Sequence, residues 1–201
     1  MLNWGIIGLG SIANSFADAF KEVKNAKLLA IASKSKNRLL HFKKKFSLKN
    51  EFCFLEYEKL LQNKHIDIIY IALPHSLHFE WILKSFDEKK NVLCEKPAVI
   101  KYDHIKHINS IVDKNNLFFC DAYAYTFHPQ TYKLIEVIQN DKIGDIIRME
   151  SFFGTNIVEK RKFIFFKKIK IDEKKRLFNK DLGGGSIFDL GCYPSSLSII
   201  I

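Results

Sequence analysis

Short apolar runs rich in Ile, Leu, Val and Phe alternate with longer segments whose apolar positions recur at three-and-four spacing. Residues 3–7, 27–32, 66–72, 91–94 and 117–121 read as buried strands, and 51–54 as a short one, because a strand covered on both faces is apolar throughout. Between them, 12–23, 36–46, 57–62, 77–89 and 102–114 carry the one-sided pattern of amphipathic helices. Regular alternation of this kind predicts an α/β fold built on a doubly wound parallel sheet.

The character changes after Asp121. Residues 127–139 read as a further helix, Ile143-Gly144-Asp145 as a turn, and 146–153 and 162–171 as longer, alternating, antiparallel strands. The expected organisation is a first domain over 1–121 and the start of an α+β domain with an antiparallel sheet over 122–201. The run Leu197-Ser198-Ile199-Ile200-Ile201 has neither a capping residue nor a polar tail, so the second domain is expected to be incomplete and the chain truncated.

Composition narrows the class. With 47% apolar and 27% charged residues the chain is globular rather than disordered. A net charge of +10 raises a polyanion as partner, but the lysines are spread over almost every helix, which reads as a solvated surface; no nucleic-acid partner is expected. The run from Lys160 to Lys180, with Phe163, Phe165 and Phe166 interleaved, is the local exception. Cys53, Cys94, Cys120 and Cys192 show no paired metal or redox spacing, and no apolar stretch is long enough to span a bilayer. A reducing, cytoplasmic setting without membrane attachment or metal follows as the expectation.

Glycines are scarce, so their places are informative. Gly8-Leu9-Gly10-Ser11-Ile12-Ala13 lies between the first strand and the first helix, giving a GxGxxA fingerprint in the context it requires. A tight turn at Gly8, close backbone approach at Gly10 and the open N–H groups of Ser11 and Ile12 suit the diphosphate of a dinucleotide on a Rossmann fold. The second strand runs into Ser33-Lys34-Ser35-Lys36-Asn37-Arg38, without the carboxylate that holds a ribose diol. A hydroxyl at Ser33 with cations at Lys34 and Arg38 suits a 2′-phosphate, which favours NADP and leaves NAD open.

Three later motifs, Ala72-Leu73-Pro74-His75-Ser76-Leu77-His78, Glu95-Lys96-Pro97 and the run from Gly183 through Asp189 and Tyr193 to Pro194, join the fingerprint, Asp121-Ala122-Tyr123 and Phe127-His128-Pro129. In order and spacing the set resembles the glucose-fructose oxidoreductase, inositol dehydrogenase and rhizopine-catabolism (Gfo/Idh/MocA) family over nearly the whole chain, with the last run most like its dimeric dihydrodiol dehydrogenase branch. The resemblance implies that Ala72, Leu73, Pro74, His75 and His78 surround the cofactor, that Glu95 and Lys96 stand beside the nicotinamide, and that the Lys96–Pro97 bond is cis. It also implies that Lys96 binds the reacting oxygen of the substrate, that Tyr193 transfers the proton, and that Asp189 binds substrate or orients its neighbours. Thr126 stands where many members carry Arg, a departure at that contact.

That chemistry is coherent in itself. Moving a hydride to or from carbon leaves an oxygen that must gain or lose a proton, so an acid/base must lie within hydrogen-bond reach. A phenol near an ammonium suits the task, because the positive charge favours the phenolate. The expected function is NAD(P)-dependent oxidation and reduction at a hydroxyl or carbonyl carbon of a sugar, cyclitol or diol, with a homodimer expected for a full-length relative. Two rivals remain open here: a catalytically silent dinucleotide sensor, and a polyanion binder using the Lys160 to Lys180 run.

Overall fold

The computed structural model describes residues 1–156, 159–162, 165–168, 172 and 176–201, with backbone alone for 159–162 and 165–168. The chain divides into two units, Met1–Ala122 and Tyr123–Ile201.

In the first unit six strands form one parallel sheet: β1 (Leu2–Ile7), β2 (Ala26–Ala32), β3 (Cys53–Phe54), β4 (Ile68–Ile71), β5 (Asn91–Cys94) and β6 (Phe119–Asp121), in the order β3-β2-β1-β4-β5-β6. The helices between them are α1 (Ser11–Ala19), α2 (Lys36–Lys45), α3 (Tyr57–Leu61), α4 (His75–Asp87) and α5 (Tyr102–Asn115). The order reverses at β1, the switch point where doubly wound sheets take ligands beyond the carboxyl ends of their strands.

Alternation along each strand sorts its residues onto two faces. Ile7, Ala30, Ala32, Ile69, Ile71, Val92 and Cys94 meet Tyr57, Leu60, Trp81, Ile82, Phe86 and Ile108 of α3, α4 and α5. Their neighbours Ile6, Ile31 and Tyr70 face the other way, onto Ala13 and Ala17 of α1 and Leu39 and Phe42 of α2. Small Ala13 and Ala17, both at most 1% exposed, let α1 lie close against the sheet. Every strand expected in this unit is present. Some ends move: α4 starts at His75, directly after Pro74, whose fixed φ of −60° serves the helix entrance.

The second unit opens with a 3-10 turn at Ala124–Phe127 and continues into α6 (Pro129–Gln139). His128 caps that helix through Nδ1, which accepts from the Gln130 N–H at 3.1 Å, and Pro129 sits at the first turn, where no N–H is needed. β7 (Glu159–Lys162) and β8 (Phe165–Lys168) form an antiparallel pair. Two 3-10 turns, Arg176–Phe178 and Lys180–Leu182, lead to a π-helical turn at Ile187–Gly191 and to α7 (Cys192–Ile200).

One expectation fails here. Residues 146–153 are not a strand; they run without regular structure, with Ile147 97% and Phe152 94% exposed. Alternation gives a segment a face, but a strand exists only when a neighbour takes its N–H and C=O groups, and no described strand pairs with this segment. Of the strand expected over 162–171, Lys162 and Phe165–Lys168 are in strands, while 163, 164 and 169–171 lie outside the described residues. Most side chains of the Lys160 to Lys180 run lie outside them as well.

Ile82 is wholly buried between α4 and the sheet. Ile82→Ala should cost about 2–5 kcal/mol of unfolding free energy, the range for emptying such a site. Leu40→Ala, at a position 52% exposed, should change it by no more than about 0.5 kcal/mol; urea denaturation of both variants checks the contrast.

Candidate functional site

The carboxyl ends of the strands are held level by a row of backbone hydrogen bonds, each from the first residue beyond a strand to the last carbonyl of its neighbour. Gly8 N–H donates to Ala32 O at 3.1 Å, Ser33 N–H to Phe54 O at 3.0 Å, Ala72 N–H to Ile7 O at 2.9 Å, Glu95 N–H to Ile71 O at 2.9 Å and Ala122 N–H to Cys94 O at 2.8 Å. Five loops therefore leave the sheet in register along one edge. The sequence-predicted residues at Gly8–Ile12, Ser33–Arg38, Ala72–His78 and Glu95–Lys96 all belong to four of those loops or to the helix turns that follow them.

Gly8 takes φ +88°, and a Cβ there would stand 2.3 Å from Ala72 O. The turn into α1 can thus be made only by a residue without a side chain, pressed against the end of β4. Two residues on, the space around Gly10 is open: a Cβ would meet nothing within 4 Å. α1 then begins at Ser11 with no side-chain cap and no acidic residue in its first turn. Ser11 and Ile12 are exposed. Uncapped amides at the positive end of a helix, beside a gap that has no Cβ in it, make an anion cradle. These residues fit a dinucleotide diphosphate.

At the end of β2, buried Ser33 accepts from the Ser35 N–H at 3.2 Å through Oγ, and Ser35 Oγ caps α2 by accepting from Arg38 N–H at 3.4 Å. A hydroxyl that accepts in this way still has its own hydrogen to donate. Lys34 and Arg38 are exposed beside it, with Lys34 Nζ 5.7 Å from the Tyr57 ring centroid. Burial pushes the Tyr57 hydroxyl above its ordinary pKa, so it stays a neutral phenol there.

Across β1, the Ala72 to His78 loop meets the turn after β5. His78 is fully buried, and its ring lies between two carbonyls: Nδ1 is 3.0 Å from Pro97 O and Nε2 is 2.8 Å from Leu73 O. The ring spans the two loops instead of facing the open edge. His75, 6% exposed, lies beside it with ring centroids 5.5 Å apart. The Lys96–Pro97 peptide bond is cis. Glu95 accepts at Oε1 from the Tyr70 hydroxyl at 2.5 Å.

Asp121, at the last position of β6, was not singled out by the sequence as a site residue. Burial pushes its carboxyl up to about 6, and it lies close enough to Cys94 to raise that buried thiol further. In sequence it is one member of the Asp121-Ala122-Tyr123 motif; only its half-buried place at the end of the sheet raises its pKa.

The remaining candidates belong to the second unit. Tyr193 lies in the first turn of α7 among aromatic rings, its centroid 4.9 Å from Phe153, 5.6 Å from Tyr123 and 6.0 Å from Tyr125. Asp189 lies in the preceding π-helical turn, so the two do not share one regular α-helix. Such turns occur often at functional sites. Asp189 Oδ1 accepts from Arg176 Nη2 at 2.8 Å, an ion pair the sequence pattern did not disclose. The glycine run makes that approach feasible: a Cβ on Gly184 would stand 2.3 Å from Arg176 O. Among the described residues no group of three His, Cys, Asp or Glu could hold a metal ion, and no helix is long and apolar enough to cross a membrane.

Residues 2–122 match the Gfo/Idh/MocA oxidoreductase family, which has the NAD-binding Rossmann fold. The chain belongs to this family. It is similar to the trans-1,2-dihydrobenzene-1,2-diol dehydrogenase of Xenopus tropicalis, at 27% identity over 94% of this chain and 53% of the relative. It is equally similar to the D-xylose 1-dehydrogenase (NADP(+)) of Hypocrea jecorina, at 27% identity over 96% of the chain and 51% of the relative. The crystal structure of an aldose-aldose oxidoreductase from Caulobacter crescentus, complexed with glycerol, superposes with a TM-score of 0.80 over 99% of this chain and 57% of its own, at 20% identity. That likeness extends the shared fold beyond the matched residues. The chain spans about half the length of these relatives.

The half-buried Asp121 gives the first unit a pH signature. Its folded pKa of about 6 exceeds the ordinary 3.8, so the fold favours the neutral acid. Stability from this group is full below the unfolded value and is lost as pH rises through the interval between the two. A shift of about 2 units corresponds to about 3 kcal/mol at most. Asp121→Asn, which cannot ionise, should gain on the native protein by about 2–3 kcal/mol between about pH 4 and pH 7 in urea melts; parallel curves would show that Asp121 does not titrate in this window.

Proposed function

We propose that the chain is part of an NADP-linked oxidoreductase that moves a hydride between the nicotinamide and a hydroxyl or carbonyl carbon of a sugar, cyclitol or diol. The observation that carries the reading is the strand edge itself: the uncapped α1 N-terminus behind Gly8 and the Lys96–Pro97 turn leave the same end of the same sheet. An anion cradle and an ammonium on one edge suit a dinucleotide whose reactive end must meet a polar substrate.

When bound, the nicotinamide supplies the hydride acceptor or donor. The residues of this chain do the rest. Gly10, Ser11 and Ile12 hold the diphosphate through backbone N–H groups. Ala72, Leu73 and Pro74 wall the site, with His75 packed behind them, and His78 keeps that wall fixed to the Pro97 turn. Lys96 donates a hydrogen bond to the substrate oxygen and stabilises negative charge as it develops there. Tyr193 takes or returns the proton. The Arg176 ion pair gives Asp189 the role of orienting the Tyr193 turn more readily than that of meeting substrate directly.

The choice of NADP over NAD is supported by Ser33, Lys34 and Arg38, by the absence of a carboxylate at Ser33, and by the NADP(+) named for the Hypocrea relative. A polyol substrate is supported by the diol and xylose enzymes it resembles. A cytoplasmic setting belongs to the same reading, supported by four cysteines of which none is in a disulfide. So does homodimerisation of a full-length relative, as the family resemblance implies.

Two measurements test the proposal. Lys34→Ala and Arg38→Ala should each weaken NADPH by about tenfold, as for one lost charged hydrogen bond, and leave NADH unchanged in fluorescence titrations; equal effects on both would remove the preference for NADP. Lys96→Ala and Tyr193→Phe should each lower polyol oxidation by about 100-fold or more while NADPH affinity holds within a few-fold. NADPH binding without turnover of any polyol, by a full-length protein carrying these residues, would make it a dinucleotide-binding protein instead of an enzyme.

A further inference from the structure

β4 is Ile68-Ile69-Tyr70-Ile71, so a single polar atom, the Tyr70 hydroxyl, is placed in an otherwise apolar strand at the centre of the sheet. Tyr70 is 1% exposed and stacks on Phe16 of α1, with ring centroids 3.9 Å apart and planes 26° apart. For packing alone, Phe would fill the same space, and a buried hydroxyl is costly unless it is hydrogen-bonded. Here the hydroxyl reaches to the turn just beyond β5 and donates to Glu95 Oε1 at 2.5 Å, between residues 25 apart in sequence. Burial and the Glu95 carboxylate hold the phenol far above its ordinary pKa, so it remains a donor at any physiological pH.

Glu95 is thereby fixed twice from β4, by its backbone N–H to Ile71 O and by its side chain to Tyr70. A hydrogen bond from a hydroxyl to a charged carboxylate is among the stronger ones a side chain makes. A carboxylate can accept several hydrogen bonds. One of them, from the core, holds its Oε1. The residue so fixed immediately precedes Lys96 and the cis bond to Pro97.

We propose that Tyr70 is a positioning residue: from inside the core it holds the Glu95 carboxylate, and with it the Glu95–Lys96–Pro97 turn, in the geometry that receives the nicotinamide half of the cofactor. This rests on the reading of the strand edge as a dinucleotide site. Tyr70 touches neither cofactor nor substrate in this arrangement and acts through Glu95. Its ring links that turn to α1, whose first turn forms the diphosphate cradle, so both ends of the site bear on one side chain.

The test uses Tyr70→Phe, which keeps the ring and its stacking on Phe16 and deletes the hydroxyl alone, together with Glu95→Ala and the double variant. NADPH and 2′,5′-ADP, the adenosine half, are titrated against the 201-residue chain. Tyr70→Phe should weaken NADPH by about fivefold to twentyfold, as for one charge-assisted hydrogen bond, and leave 2′,5′-ADP unchanged. The double variant should bind NADPH no worse than Glu95→Ala, because the two act as one unit. The proposal falls if Tyr70→Phe binds NADPH like the native chain, if it weakens both ligands equally, or if the two substitutions multiply. A native chain that binds 2′,5′-ADP but is indifferent to Tyr70→Phe sinks the role of Tyr70 alone. One that binds neither ligand takes the dinucleotide reading down with it.

Discussion

The first unit depends on one close contact, the backbone of Gly8 against the carbonyl of Ala72. With β1 and β4 adjacent and in register, the chain leaving β1 has to turn inside the van der Waals shell of the chain leaving β4, and a side chain at position 8 has no room. That turn sets the direction of α1, and α1 then fixes what Ala13 and Ala17 can be, because the helix lies flat on Ile6, Ile31 and Tyr70. It also leaves the helix amides open at the point where the strand order reverses. The binding edge is a consequence of how parallel strands are paired, not a feature added to a finished fold.

Around that edge the fold gathers polar groups that could not stand singly in a core. His78 lies between two carbonyls, Tyr70 donates to Glu95, and Asp121 keeps a carboxyl in a place that favours its neutral form. Each is either hydrogen-bonded or shifted toward neutrality, the two ways a buried polar group is accommodated. All sit within a residue or two of a strand end or in the helix turn that follows. The apolar middle of the sheet supplies stability, and its rim concentrates what can react. Belonging to the Gfo/Idh/MocA oxidoreductases accords with that division.

In the second unit the same logic runs on smaller contacts. Gly184 allows the chain to fold over the Arg176 turn, Arg176 reaches Asp189, and the π-helical turn delivers the chain to Tyr193 in its aromatic surroundings. The sequence marked Asp189, Tyr193 and the glycines as unusual. It could not show that Asp189 is held by an arginine thirteen positions earlier, since nothing in local spacing connects them.

What the sequence determined by itself was local. Short apolar runs and the three-to-four period placed the strands and helices of the first unit to within a few residues, and Gly8 and Gly10 announced a backbone demand because no other residue satisfies it. The same method misplaced a strand at 146–153, since pairing is supplied by another segment and leaves no mark in the segment that lacks it. Tertiary structure alone decided which residues far apart meet: Tyr70 with Glu95, His78 with Pro97, Arg176 with Asp189. It also decided which carboxyl would be shielded enough from water to have its pKa raised, as at Asp121. Those outcomes follow from strand order and from desolvation, both of which are properties of the assembled sheet and of no stretch of chain taken alone.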